Sequence, residues 1–437
     1  MKRSIDIALI KWKKSKGRKV LLLRGARQVG KTYAARTLGK EFENFVEFNF
    51  EENPSLKHFF EGPLDPESIC EQLSVYSENN IVPGKTLLFF DEIQTCPNAI
   101  RSLRFFYEKL PELHVIAAGS LLEFALSEIP SFGVGRIESL FMYPMSCYEV
   151  FSAIASEKLS DSINNPKNLQ TALSVPLHQK AIKLFKLYQL IGGMPEIVDS
   201  YKNQRDITLC QKKLDALIQT MQDDFAKYKS RTPVAQLWEV FQSIAQQTGQ
   251  KFTYSNIDSA STQYHLKQAL DLLIQAGIAH KITHCSAQGF PLGASINPKK
   301  FKVIPLDVGI HQRLLKLNLA DYMSSDSFSQ INKGNIAETV VGLELLHYSW
   351  NSWEKGHLYY WHREHPQSNA EVDYISNIQN NIIPIEVKAG TKGQMQSLYQ
   401  FLDTHTNSPK GIRISLENFN HYDRIQTIPL YAIKSLF

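Results

Sequence analysis

The chain has 437 residues, 43% of them hydrophobic and 21% charged, with a formal net charge of +5. That length exceeds one ordinary hydrophobic core, so roughly two to four domains of a soluble globular protein are expected. No apolar stretch approaches a membrane span, which argues against a membrane partner. The start Met1-Lys2-Arg3-Ser4-Ile5-Asp6 lacks a long apolar segment and a small-residue cleavage site, so the cytoplasm is the expected location. Cys70, Cys96, Cys147, Cys210 and Cys285 are scattered without a C-x-x-C pair, which reads as buried or free thiols in a reducing compartment.

Met1 to Lys40 carries thirteen Lys and Arg against Asp6 alone. Such a tract attracts polyanions, nucleic acid among them, or forms a solvated basic helix. Within it the apolar run Val20-Leu21-Leu22-Leu23 leads into "RGARQVGKTYAARTLGK". Strand, glycine-rich loop and helix formers follow one another, and G-x-x-x-x-G-K-[ST] is met at Gly25, Gly30, Lys31 and Thr32. The loop Gly25-Ala26-Arg27-Gln28-Val29-Gly30-Lys31-Thr32-Tyr33 can turn its backbone N–H groups inward as a nest for phosphate oxygens. Lys31 then reaches the β and γ phosphates, and the Thr32 hydroxyl is placed to ligate Mg²⁺.

A second strand is expected over 45–50 and a third over Leu87–Phe90, which runs straight into Asp91 and Glu92. An apolar strand ending in two acids is the second nucleotide signature: Asp91 for the Mg²⁺ shell, Glu92 to polarise the attacking water. A helix over 99–110 leads to the buried strand Val115–Ala118 with Gly119-Ser120 at its tip. This arrangement resembles the AAA+ branch of P-loop ATPases, and the resemblance makes Ser120 the residue that senses the γ-phosphate. "GVGRIESLFMYPMSCYEVF" resembles a Gly-Arg element in a bacterial and archaeal group of AAA ATPases. It implies that Arg136 acts on nucleotide in cis or on a neighbour, the alternative being a pair with Glu138 or Glu149. "GGMPEIV" at 192–198 recurs in that group as a helix-loop hinge.

The polar stretch from Ser152 to Pro176 reads as a surface insertion or linker, with helical patterning resuming at His178. From Pro233 the order helix, short element near Tyr254, helix and alternating "IAHKITH" predicts a winged helix-turn-helix. Thr262, Gln263, Tyr264, His265 and Lys267 could read a DNA groove, or the module could dock a protein. His362 and His365 in "WHREHPQ" read as an ordinary loop before a metal pair.

In the last third, "KGNIAETVVGLELL" is a helix carrying Glu338, "AEVDYISN" a strand carrying Asp373, and "IIPIEVKAG" a strand carrying Glu386 and Lys388. Glu386 and Lys388 share a face, and a hairpin turned at Gln379-Asn380-Asn381 sets Asp373 opposite Glu386. Converging acids with one lysine suit a divalent metal held by Asp373 and Glu386, with Lys388 orienting or activating water for phosphodiester attack. Salt-bridged strands are the structural alternative. The constellation resembles the PD-(D/E)XK restriction-endonuclease-like core, with Val372 where a proline is usual.

Nearly the whole chain resembles one family of bacterial and archaeal ATP-binding proteins. Its parts are an AAA+ ATPase with helical extension (1–205), a winged helix (206–305) and a domain of unknown function with an endonuclease-like core (306–437). The fold class implied is α/β multidomain. The resemblance also implies ATP and Mg²⁺, or Mn²⁺ at the C-terminal site, as cofactors, with DNA, further copies of the chain and a protein at the winged helix as partners. Catalytic roles fall on Glu92, Arg136, Glu338, Asp373, Glu386 and Lys388. Two functions follow: an ATP-driven DNA-processing enzyme with a controlled nuclease, which the acids around Lys388 favour, or a regulatory ATPase with a non-cleaving docking domain.

Overall fold

The computed structural model describes residues 1–120, 122–128, 135–228, 232–324, 333–349, 351–363 and 370–437. The chain divides into two compact units: Lys2–Tyr143 with Ser352–Lys355, and Met1, Pro144–Asn351 and Gly356–Phe437.

The first unit runs α1 (Ile5–Lys14), β1 (Val20–Arg24), α2 (Lys31–Gly39), β2 (Asn44–Asn49), α3 (Pro66–Ser77), β3 (Thr86–Asp91), α4 (Pro97–Lys109), β4 (His114–Ala118), α5 (Leu122–Glu128) and β5 (Ile137–Phe141). Its five strands are all parallel in the order β2-β3-β4-β1-β5. The inner strands β1, β3 and β4 are continuous apolar runs because a parallel sheet is covered on both faces. Leu21 to Leu23 and Leu87 to Phe90 have no exposure at all. Phe90 on β3 packs against Phe60 and Phe106 with ring centroids 5.8 and 5.9 Å apart, which seats α4 on the sheet. The three strand ends Arg24, Asp91 and Ala118 lie at the carboxyl edge, where ligands bind in open parallel sheets.

The second unit starts with α6 (Cys147–Ile154), α7 (Glu157–Ile163), α8 (Val175–Ile191), α9 (Pro195–Gln204), α10 (Ile207–Asp224), α11 (Val234–Gln247) and α12 (Gln263–Gln275). It continues with β6 (Ala279–Cys285), β7 (Ile296–Pro305), α13 (Val308–Leu314), α14 (Leu319–Ser324), α15 (Lys333–Tyr348), β8 (Leu358–His362), β9 (Glu371–Ile378), β10 (Asn381–Val387), α16 (Gln396–Thr404), β11 (Gly411–Ser415), β12 (Asn420–Tyr422) and β13 (Ile425–Pro429). The expected linker over 152–176 contains a helix, α7, because Leu159 and Ile163 stand four apart and are buried.

Helix, helix and antiparallel hairpin follow one another over α11, α12 and β6–β7, the expected order. However, β6 also pairs in parallel with β8, so the hairpin is the edge of one eight-stranded sheet, β12-β13-β11-β10-β9-β8-β6-β7. The boundaries expected at 205 and 305 both fall inside this unit, and the second is crossed by backbone pairing between distant segments, which leaves no trace in local periodicity. Within the sheet, β8, β9 and β10 are antiparallel neighbours and β11 joins β10 in parallel. The β9–β10 turn has two residues, Gln379 and Asn380, both at positive φ (52° and 60°), as a type I′ hairpin requires; Asn381 already belongs to β10.

The glycines of "GGMPEIV" are explained by Asp307. Its fully buried carboxylate caps α13 through Ile310 N–H (3.0 Å) and also accepts Gly193 N–H at 2.6 Å. Burial pushes this carboxyl up to about 6 even though the N–H donors pull it down. A Cβ on Gly192, whose φ is +72°, would lie 2.1 Å from Asp307 Oδ1. Asp307→Ala leaves buried N–H donors unmet and should cost about 2–4 kcal/mol. A lowered urea midpoint checks this, and an unchanged midpoint contradicts it.

Candidate functional site

The loop between β1 and α2 closes around its own backbone. Gly25 (φ +141°), Gln28 (φ +64°) and Gly30 (φ +99°) take conformations that tip N–H groups to one side. Gly25 has a second reason to lack a side chain: a Cβ there would lie 2.2 Å from the Met142 carbonyl oxygen after β5. Ala26 and Val29 are buried, Arg27 is half-buried, and Tyr33 is 54% exposed. The Lys31 ammonium is buried and donates to the carbonyl oxygens of Gly25 (2.9 Å) and Ala26 (2.8 Å). Burial pulls its pKa down to about 8, only partly offset by Glu92 and Asp91.

Both acids after β3 reach this loop. Thr32 Oγ1 donates to Asp91 Oδ2 at 2.8 Å, bringing together the hydroxyl and carboxylate that would share a Mg²⁺ shell. Burial raises the Asp91 carboxyl, with Thr32 opposing. Glu92 takes a left-handed backbone (φ +49°), rare for a non-glycine and found mainly where function or packing holds it. Its Oε2 accepts Gln94 Nε2–H at 2.6 Å and faces Ser120, whose hydroxyl lies at 3.4 Å and N–H at 3.5 Å. The expected Ser120 is thus at the site, and Gln94 is an addition. Gln94 packs where a Cβ on Gly119 would stand, so Gly119-Ser120 and Gln94 fit as a unit. The four letters "DEIQ" held that signal.

Arg136 stands before β5 and pairs with Glu108 on α4, rather than with Glu138 or Glu149. Glu149 instead closes a capping box with Ser146 at the start of α6. Much of the basic tract is likewise committed internally. Arg3 donates to the carbonyls of Val29 (3.0 Å) and Tyr143 (2.8 Å), and Arg36 forms a fork with Glu47. Arg24, the last residue of β1, forms a fork with Glu123 on α5 and donates to Ser139 Oγ at 3.2 Å. Ser352–Lys355 adds to the same place: the Ser352 carbonyl accepts Phe141 N–H at 2.8 Å, and half-buried Lys355 is attracted by Glu123 and repelled by Arg24. In the chain this segment lies between α15 and β8, a return that sequence patterning did not show.

In the second unit the structure gathers Glu338 from α15, Asp373 from β9, Glu386 near the end of β10 and Lys388 just past it. It adds Glu371 and, decisively, Lys302 from β7. The Lys302 ammonium, 1% exposed, lies 2.5 Å from Glu371 Oε1, 3.5 Å from Glu338 Oε2 and 3.9 Å from Asp373 Oδ1. Asp373 Oδ2 accepts Val387 N–H at 2.7 Å, and Lys388 donates to Glu386 Oε1 at 2.6 Å. Glu386 Oε2 is buried without a hydrogen-bond partner. Burial and the neighbouring Asp373 push Glu338 up to about 8 and Glu386 up to about 7, while the surrounding acids raise Lys302. Among the described residues no group of three or more His, Cys, Asp or Glu could hold a metal ion. The acids expected to bind a divalent metal converge around the Lys302 ammonium.

His362 ends β8 and accordingly remains a strand-end residue, while His365 lies outside the described residues. On α12 and its cap, Thr262, Gln263, Tyr264, His265 and Lys267 are exposed. The five cysteines are buried and free, and no helix among the described residues is long and apolar enough to cross a membrane.

Residues 17–151 match the AAA domain family, 182–321 a domain of unknown function (DUF8612) and 333–433 another (DUF4143). No curated protein matches the chain. Among solved structures, a Walker-type ATPase of Pyrococcus abyssi shares 14% identity over 72% of this chain and 96% of its own, with a TM-score of 0.46. Thermotoga maritima RuvB shares 14% over 72% and 93%, at 0.28. The Aeropyrum pernix ORC1 protein, solved with DNA, shares 11% over 73% and 92%, at 0.26. Phosphate loop, acid pair and parallel sheet stand inside the matched segment, and the chain carries an AAA-type P-loop ATPase domain.

Proposed function

We propose that the chain is an ATP-hydrolysing switch acting on DNA, in which nucleotide state governs a C-terminal unit that docks without cleaving. The observation that carries the hydrolytic part is the contact of Thr32 with Asp91 beside a Glu92 already held by Gln94 and Ser120. A nucleotide's β and γ phosphates replace the Gly25 and Ala26 carbonyls as partners of Lys31, and the loop N–H groups bind the same oxygens. Thr32 and Asp91 would hold a Mg²⁺ ion, whose charge would offset that developing on the phosphates. Glu92 orients and polarises water, Ser120 reports the γ-phosphate, and Arg136 supplies a cation after leaving Glu108.

Coupling is supported by Arg24. It directly precedes the phosphate loop and holds Glu123, which in turn attracts Lys355 in the segment leading to β8. The non-cleaving reading is supported by Lys302 among the carboxylates. DNA docking is supported by the exposed Thr262–His265 and Lys267.

Lys31→Ala should abolish ATP binding, whereas Glu92→Gln should bind and not hydrolyse. Fluorescent-nucleotide titration and phosphate release read both, and undiminished turnover in Glu92→Gln removes that glutamate from its role. Because free Lys31 titrates near about 8 and bound phosphate keeps it charged, binding above that pH takes up a proton. ATP affinity should then be flat below about pH 7 and fall by up to ~10-fold per pH unit above 8. Flat affinity up to about pH 9 contradicts this. Glu123→Ala should keep ATP turnover within a few-fold and erase any difference in DNA binding between ATP and ADP states, read by fluorescence anisotropy.

A further inference from the structure

We infer that Lys302 is the resident cation of the C-terminal carboxylate centre and stands there in place of a divalent metal ion. The inference deepens the non-cleaving reading of that unit and rests on it. Three separate elements supply what surrounds this ammonium: β7 the lysine itself, α15 Glu338, and β9 Glu371 and Asp373. A lysine with 1% exposure has lost nearly all its hydration, which only close carboxylates can replace. The face of Tyr360, 5.4 Å from the ammonium, adds to the same side.

At least one oxygen of each acid in the centre already meets a cation. Asp373 has one oxygen toward Lys302 and the other on Val387 N–H, Glu338 Oε2 and Glu371 Oε1 face Lys302, and Glu386 Oε1 holds Lys388. A divalent ion within bonding distance of these oxygens would also stand a few ångströms from a buried ammonium, a repulsion that water does not screen. Glu386 Oε2 is the oxygen of this centre that is buried without a partner, and a divalent ion bound there would share its remaining ligands with Lys302. Sequence spacing pointed to a metal because Lys302 lies 69 residues or more upstream of Glu371, Asp373 and Glu386 in a different hairpin.

The test uses full-length, nucleotide-free protein in an Asp91→Asn background, which removes a contribution from the phosphate loop. Melting temperature and Mn²⁺ binding by electron paramagnetic resonance are followed as Mn²⁺ or Mg²⁺ is raised to millimolar concentration. With Lys302 intact, neither should change. Lys302→Met keeps the apolar stem and removes the charge. It should melt lower without metal and regain roughly 5 °C or more with Mn²⁺, which then fills the vacated position. Adding Asp373→Asn to Lys302→Met should erase the regain. Stoichiometric Mn²⁺ binding with Lys302 present, lost on Asp373→Asn, overturns the inference, and that measurement stands even if Lys302→Met does not fold. A Lys302→Met protein that neither weakens nor responds to metal overturns it as well. ATP turnover of the unmutated chain is measured separately, so loss of the switch reading is distinguishable from loss of this one.

Discussion

A charge removed from water must be met by opposite charge or by several hydrogen bonds, and this constraint shapes both centres of the protein. Lys31 meets it with two loop carbonyls. Lys302 meets it with three carboxylates held by a helix and a strand. The first arrangement is exchangeable and suits a ligand site. The second is a closed set, and it ties β7, α15 and β9 together.

The same constraint explains features away from the centres. Asp307 is buried because two backbone N–H groups and a side-chain-free Gly192 make room for it. Glu344 on α15, fully buried and raised to about 8, is kept by Cys147 N–H at 2.7 Å and the Tyr188 hydroxyl at 3.5 Å. In both cases a polar side chain fixes how a helix end meets its neighbours. Apolar packing alone would leave that orientation less sharply defined.

In the first unit, catalytic geometry and architecture are one problem. The parallel order brings Arg24, Asp91 and Ser120 to the same edge, and a strained Glu92 backbone aims its carboxylate at Gln94 and Ser120. The Arg24–Glu123 fork makes the last residue before the phosphate loop answerable to α5 and to Lys355.

The phosphate loop, the acid pair, Ser120 and the strands beneath them were legible in the sequence because all are local. Strand, glycines, lysine and threonine stand in one continuous run, and burial on both faces makes the strands uniformly apolar. Glu338, Asp373 and Glu386 were legible for a similar reason, each lying on an element whose periodicity shows its face, with Lys388 directly after the last of these strands. Tertiary structure decided what those acids face. Lys302 comes from a hairpin that joins their sheet through β6–β8 pairing, and Ser352–Lys355 leaves its sequence neighbours to complete the first unit. Arg136 was expected to act on nucleotide, with Glu138 or Glu149 as the alternative partners, and it stands paired with Glu108 on α4. Local pattern determined which residues carry charge and on which face; long-range pairing of strands determined which opposite charge each one meets, because Coulomb attraction depends on distance in space and not along the chain.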